Sequence, residues 1–203
     1  MPDIVAFSGH RIYTDRASFF RGLDNLRARE YVFGGARGFD TDALEYIAKT
    51  QPHSIRTVVV PDKLINQPFY TRAITQKHST NLIELKNTGI DRFQIRNRFI
   101  VDRSTHLRAF YDFRASGGTY NTIKYAQSIG KSYDVWPLLN YNNDDYLNMS
   151  ENEFRKWMKN LRSHQVNLSA VKGIIMSFFN KKYGMIPRDV VLELGSWRLV
   201  IYR

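Results

Sequence analysis

The sequence predicts an α/β protein: a Rossmann-like, mostly parallel sheet with helices on both faces, followed by a small basic α+β appendage. Three observations carry this. Short apolar runs alternate with segments of helical periodicity across the first 140 residues, the pattern of strands joined by crossover helices. Three of those runs end directly in glycine-bearing loops. A polar stretch, NYNNDDYLN at 140–148, then separates this region from a tail of different pattern. The expected division is a sheet domain over 1–140, a linker over 141–149 and a C-terminal extension over 150–203.

Each element has its own warrant. Asp3–Phe7 reads as a buried strand stopping at Ser8-Gly9. Thr14-Asp15 can cap a helix carrying Phe19, Phe20, Leu23 and Leu26 at helical spacing. Tyr31–Phe33 is a second strand, broken by Gly34-Gly35; Phe39–Lys49 is a helix with Ala43, Leu44, Ile47 and Ala48 on its apolar face. Ile55–Val60, strongly β-branched and ended by Pro61, is a third strand. Phe69–Lys77 is partly helical, and Leu82–Leu85 a short strand. Ile90–Arg103 fits a helix burying Phe93, Phe99 and Ile100. His106–Tyr111 is a strand, Ser116–Thr119 a glycine loop, Thr122–Ser128 a helix and Tyr133–Trp136 the last strand of the series. In the tail, Glu151–Ser163 and Leu168–Lys181 read as helices. Val190–Leu194 and Trp197–Tyr202 flank Gly195-Ser196, a two-residue hairpin signal.

At 203 residues, 43% of them hydrophobic, the chain can bury one substantial core. It has no cysteine, which excludes disulfides, thiolate nucleophiles and cysteine-ligated metals. It has no apolar run of the roughly eighteen residues a membrane span needs, so no contact with a membrane is expected. No basic n-region or cleavage site follows Met1, which predicts an intracellular, cytoplasmic protein. The formal charge of +11 is unevenly spread. Residues 1–150 carry 20 Lys and Arg against 15 Asp and Glu, whereas residues 151–203 carry 10 against 4. Such a balance favours anionic ligands or polyanionic partners, although a solvated basic surface gives the same total.

The chemistry-bearing residues lie in the loops. Ser8-Gly9-His10-Arg11 follows the first strand: the glycine lets backbone approach a ligand, and the other three add donors for an oxyanion. Gly34-Gly35-Ala36-Arg37-Gly38-Phe39-Asp40 follows the second. Its glycines permit an anion nest of backbone N–H groups, Arg37 adds charge, and Asp40 is either a helix cap or an acceptor for sugar hydroxyls. The loop is neither G-x-G-x-x-G nor a Walker A sequence. Ser116-Gly117-Gly118-Thr119, with Asn121 and Thr122, repeats the logic at a helix N-terminus, where the dipole favours an anion. Within Arg96-Asn97-Arg98, positions i and i+2 do not share a helical face, so one arginine at most enters a common site. His10, His53, His78, His106 and His164 are scattered without ligand spacing, so no metal site is expected, and no G-x-S-x-G elbow supports a serine triad.

Taken in order, FSGHR, GGARGFD, RNRFIVD, AFYD and SGGTYNTIKYAQSIGK resemble the YpsA-like branch of the SMF/DprA–LOG (SLOG) superfamily; GGARGFD and RNR are also similar to DprA. The resemblance covers about residues 4–136. It implies a Rossmann-like sheet whose glycine loops bind a nucleotide or nucleotide-derived ligand. By position it implies Ser8, Gly9, His10 and Arg11; Gly34, Gly35, Gly38 and Asp40; Arg96 and Asn97; and Gly117, Gly118, Thr119, Asn121 and Thr122. The Arg-Asn pair recurs in the YpsA-like pattern while the next position varies, which selects Arg96 over Arg98. LOG phosphoribohydrolases, which the glycine loops also resemble, use P-G-G-x-G-T-x-x-E, and SGGTYNTIKYA has no glutamate. Hydrolysis here would need another carboxylate, with Asp40 and Asp112 the candidates.

Three functions follow as expectations. The first is a sensor or sequestering module for a phosphorylated nucleoside, with Tyr and Phe available to stack on a base. The second is cleavage or transfer at an N-glycosidic bond. The third is DprA-like binding of single-stranded DNA, or another nucleic acid, through the basic tail. No further cofactor is implied, and a homo-oligomer is compatible with the sequence. Gly34, Gly35, Gly117 and Gly118 are expected to border one pocket.

Overall fold

The computed structural model describes residues 2–13, 16–24, 26–111 and 116–138, together with residues 189–193 and 196–200. The chain divides into two compact units, Met1–Asn140 and Tyr141–Arg203. The first runs β1 (Ile4–Ser8), α1 (Arg16–Asp24), β2 (Glu30–Phe33), α2 (Phe39–Thr50), β3 (Ile55–Val60), α3 (Phe69–His78), β4 (Asn81–Glu84), α4 (Arg92–Arg103), β5 (His106–Tyr111), α5 (Gly118–Ser128) and β6 (Tyr133–Pro137). A 3-10 turn, Leu64–Asn66, precedes α3.

The six strands form one all-parallel sheet in the order β4-β3-β2-β1-β5-β6. From β1 the chain steps outward to β4, then α4 carries it back to β5 on the other side of β1. Crossovers share one hand, so this reversal puts α4 and α5 on the face opposite α1, α2 and α3. It also opens a crevice at the carboxyl ends of the central strands, the usual ligand position in open α/β sheets.

The central strands are apolar on both sides because helices cover both faces. Val5, Ala6 and Phe7 of β1, Tyr31 to Phe33 of β2 and Val58 to Val60 of β3 are completely buried. Phe7, Phe39 and Phe110 form the aromatic centre, with the Phe39 and Phe110 rings 4.3 Å apart. Gly22 lets α1 lie against this cluster; a Cβ there would stand 2.4 Å from the Phe110 ring. At the sheet edge β4 is short and leaves Leu82 exposed. Among the described residues no helix is long and apolar enough to cross a membrane.

Some sequence expectations are corrected. The inward face of α4 is Arg96, Ile100 and Val101, while Phe93 is exposed and Phe99 half-buried. Phe93 sits in the first turn, which projects over the crevice instead of over the sheet. Phe20 reaches solvent for the same kind of reason, at the outer side of α1. The glycine loop after β5 is shorter than expected, because Gly118 and Thr119 already belong to α5. Thr14-Asp15 lies outside the described residues.

In the second unit, β7 (Asp189–Glu193) and β8 (Ser196–Val200) form an antiparallel pair. Ser196 pairs with Glu193, so the connection falls one position earlier than Gly195-Ser196. The linker over 141–149 and the helices expected over 151–163 and 168–181 lie outside the described residues.

Candidate functional site

The loops after β1 and β2 lock together before any ligand is considered. Phe39 N–H donates to the His10 carbonyl at 3.1 Å. A Cβ on Gly9 would stand 2.2 Å from Cγ of Phe39, and one on Gly38 would stand 2.1 Å from the Arg11 carbonyl oxygen. Gly38 also holds φ +90°, a conformation that L side chains resist. Gly9 and Gly38 are thus glycine because chain passes over chain. Ser8 ends β1, and the His10 ring stacks on Tyr111 at 5.7 Å.

Helix α4 brings the arginine. Arg96 is buried to 7% exposure, and its guanidinium lies across Gly34, where a Cβ would stand 2.0 Å from Nη1. Asp40, equally buried, turns back from the first turn of α2 to accept the Ala36 N–H at 3.1 Å. Arg96 Nη1 and Asp40 Oδ2 are 3.9 Å apart, an ion pair without a hydrogen bond. Arg96 Nε is buried with no hydrogen-bond partner. Burial pushes the Asp40 carboxyl above its ordinary value, against the opposing pull of Arg96 and the loop N–H groups. Burial likewise lowers the Arg96 value, with Asp40 opposing; a guanidinium remains charged all the same.

Arg96 and Gly34 belong to a cleft of about 800 Å³ lined also by Arg11, Gly35, Arg37, Gly38, Arg92 and Phe93, with Ile12, Tyr13, Pro61 and Pro68 on its walls. Of the sequence candidates, Arg11, Gly34, Gly35, Arg37, Gly38 and Arg96 line this cleft, whereas Ser8, Gly9, His10 and Asp40 do not. Arg98, two residues on, is exposed and lies over the Tyr125 ring. Asn97 faces the other loop: its Nδ2 would stand 3.8 Å from a Cβ on Gly118. Gly117 and Gly118 are not among the residues lining this cleft. Adjacent helix positions, Arg96 and Asn97, serve different loops. No protein-family model matches the chain, and no curated protein matches it.

Within the third loop, Gly117 has φ +109° and precedes α5, while Gly118 and Asn121 are exposed. Thr119 is buried, and buried Thr122 donates its hydroxyl to the Gly118 carbonyl at 2.8 Å, so Thr122 serves the helix. Asp112 lies outside the described residues. Asp40 is not the cap of α2: Gly38 holds that position without a side-chain cap, and Asp40, the second helical residue, is committed to Ala36 and Arg96.

Sequence reasoning missed Arg92, Phe93, Tyr13 and the loop after β3, where Pro61, Asp62, Asn66, Gln67 and Pro68 close one side of the cleft. Their signal was positional: β3 is parallel to β2 and its neighbour, so its following loop had to emerge beside Gly34–Gly38. Tyr13 donates to Asp42, which also receives Arg16 at 2.8 Å, and burial and Asp42 together push the phenol pKa upward.

A second cleft of about 800 Å³ lies at the amino ends of β5 and β6. His106 there stands between Ser132 Oγ (2.9 Å) and Asp134 Oδ1 (3.0 Å). The order resembles a triad, but Arg108 also grips both oxygens of Asp134 at 3.0 Å, so that carboxylate is already neutralised. Among the described residues, no three His, Cys, Asp or Glu side chains are placed to hold a metal ion.

Proposed function

We propose that the cleft between the β1 and β2 loops and α4 binds a nucleotide or nucleotide-derived phosphorylated ligand, and that the protein acts as a sensor or sequestering module. The observation carrying this is Arg96: a buried guanidinium with an unpartnered Nε, set over Gly34 and only loosely paired with Asp40. Buried donors are nearly always satisfied, and Arg96 lines the cleft, so an anion there would meet a guanidinium whose hydrogen-bonding capacity its own surroundings leave unfilled. Arg11, Arg37 and Arg92 add positive charge around the same space. The resemblance to the YpsA-like branch of SLOG proteins supports the reading, since Arg11, Gly34, Gly35, Gly38 and Arg96, five of the ligand residues it implies, line this cleft.

Binding is favoured over N-glycosidic hydrolysis because Asp40, the described carboxylate candidate, faces the loop backbone and Arg96. The direct test is native mass spectrometry of gently purified protein, followed by titration with nucleoside monophosphates. A phosphorylated nucleoside released on denaturation supports the reading. Failure of every phosphate ester to bind, with no ligand co-purifying, rejects it. Chromatography of the same mixtures for released base tests hydrolysis.

A further inference from the structure

We propose that Phe93 is the stacking platform for the flat ring of the ligand, so that the cleft selects phosphate esters carrying a nucleobase over those carrying a sugar alone. This deepens the phosphate reading above and rests on it. Phe93 is an aromatic residue at a helix position that should be buried by periodicity, yet 39% of it is exposed and it lines the cleft. The other cleft aromatic, Tyr13, is already occupied. It stacks on Phe19 with centroids 5.5 Å apart, and its hydroxyl is bound to Asp42.

The register of α4 fixes where Phe93 stands relative to the anion position. Phe93 and Arg96 are i and i+3, hence neighbours on one side of the helix, separated along its axis by about one turn. A ligand with its phosphate at Arg96 and Gly34 therefore extends past Phe93. The surroundings of the ring suit a flat, electron-rich group. Arg92 and Arg11 place their guanidinium carbons 5.0 and 5.9 Å from its centroid, and guanidinium planes stack on bases as aromatic rings do. Ile12, Pro61 and Pro68 supply apolar walls, and Ile12 is 70% exposed, so it too has surface to cover. A sugar phosphate would leave all of this apolar surface in water.

The experiment is calorimetric titration of the full-length chain, its Phe93→Ala and Phe93→Trp forms and an Arg96→Ala control. The probes are AMP, GMP, CMP and UMP on one side and ribose 5-phosphate on the other. Wild type should bind at least one nucleotide about tenfold or more tighter than ribose 5-phosphate. Phe93→Ala should lose that advantage while its ribose 5-phosphate affinity stays within about twofold; Arg96→Ala should weaken both probe classes. Phe93→Trp should retain the preference and show quenching of indole fluorescence on nucleotide addition, a signature that a merely structural residue would not give. If wild type binds ribose 5-phosphate as well as every nucleotide, or if Phe93→Ala weakens both classes equally with Phe93→Trp unquenched, the stacking assignment is wrong and the phosphate reading stands. If no probe binds wild type, both fall together.

Discussion

Arg96 and Asp40 are buried side by side without touching: Nη1 and Oδ2 stand 3.9 Å apart, and the carboxylate takes its hydrogen bond from Ala36. A pair made for stability would close that gap, because two desolvated charges recover their hydration only through close, well-aligned contact. The arrangement instead holds Asp40 to shape the loop and leaves Arg96 turned toward the cleft.

Arg96→Ala should therefore weaken binding of a nucleoside monophosphate by about 1.5–3 kcal/mol, the worth of a hydrogen bond to a charged group. Arg98→Ala should change it by a few tenths at most, since Arg98 is exposed. Titration of both variants, each checked for folding by circular dichroism, decides the matter; equal losses would reject the assignment.

The glycines should separate into two kinds. Gly38→Ala combines φ +90° with a Cβ 2.1 Å from the Arg11 carbonyl, and should cost more than about 1 kcal/mol in urea unfolding. Gly118→Ala, helical and with only Asn97 Nδ2 near at 3.8 Å, should be neutral or stabilising by up to about 1 kcal/mol. Similar destabilisation by both would contradict this packing.

Gly34→Ala tests the site from the other side. Its Cβ would meet the Arg96 guanidinium, so the arginine must move. The expected result is a folded protein with phosphate affinity lowered about as much as by Arg96→Ala, and little additional loss in the double variant. Full additivity would mean that the two residues act independently.

Asp134 sets an acid limit on the fold. Burial pushes its carboxyl upward, but hydrogen bonds from His106 and Arg108 outweigh this and hold it below the ordinary 3.8. A carboxyl depressed in the folded state contributes stability above its unfolded value and loses it as pH falls through the folded one. Denaturant midpoints should thus drop below about pH 4, and Asp134→Asn should flatten that drop while lowering stability at pH 7. An unchanged acid limb in the variant would assign the effect to other carboxylates.

The sheet was legible because its signals are local. β-Branched and aromatic runs such as Ile55–Val60 have few alternatives to burial between helices, and the parallel order follows from their alternation with helices. The loop positions of Gly34 and Gly38 were legible for the same reason. That Arg96 and Arg98 point in different directions followed from helical geometry, while the choice of Arg96 rested on the resemblance. What could not be read was which helix turn overhangs the crevice, and this is why Phe93 was assigned to the core. Nor does spacing tell whether two glycine loops share a cavity. That depends on how α4 divides its side chains, Arg96 to one loop and Asn97 to the other.

The interlock of Gly9 with Phe39 and of Gly38 with Arg11 has a consequence for how this protein meets its ligand and how it can change over time. Both loops take their shape when the sheet folds, so the entropy of ordering them is spent then and not at the encounter. Capture should need little rearrangement of this wall, and its rate should be set by diffusion and charge. The same geometry ties four positions into one heritable unit. A larger residue at 9 is tolerable only with a smaller one at 39, and any side chain at 38 only with a rerouted backbone at 11, so related chains should alter these sites together or leave them alone.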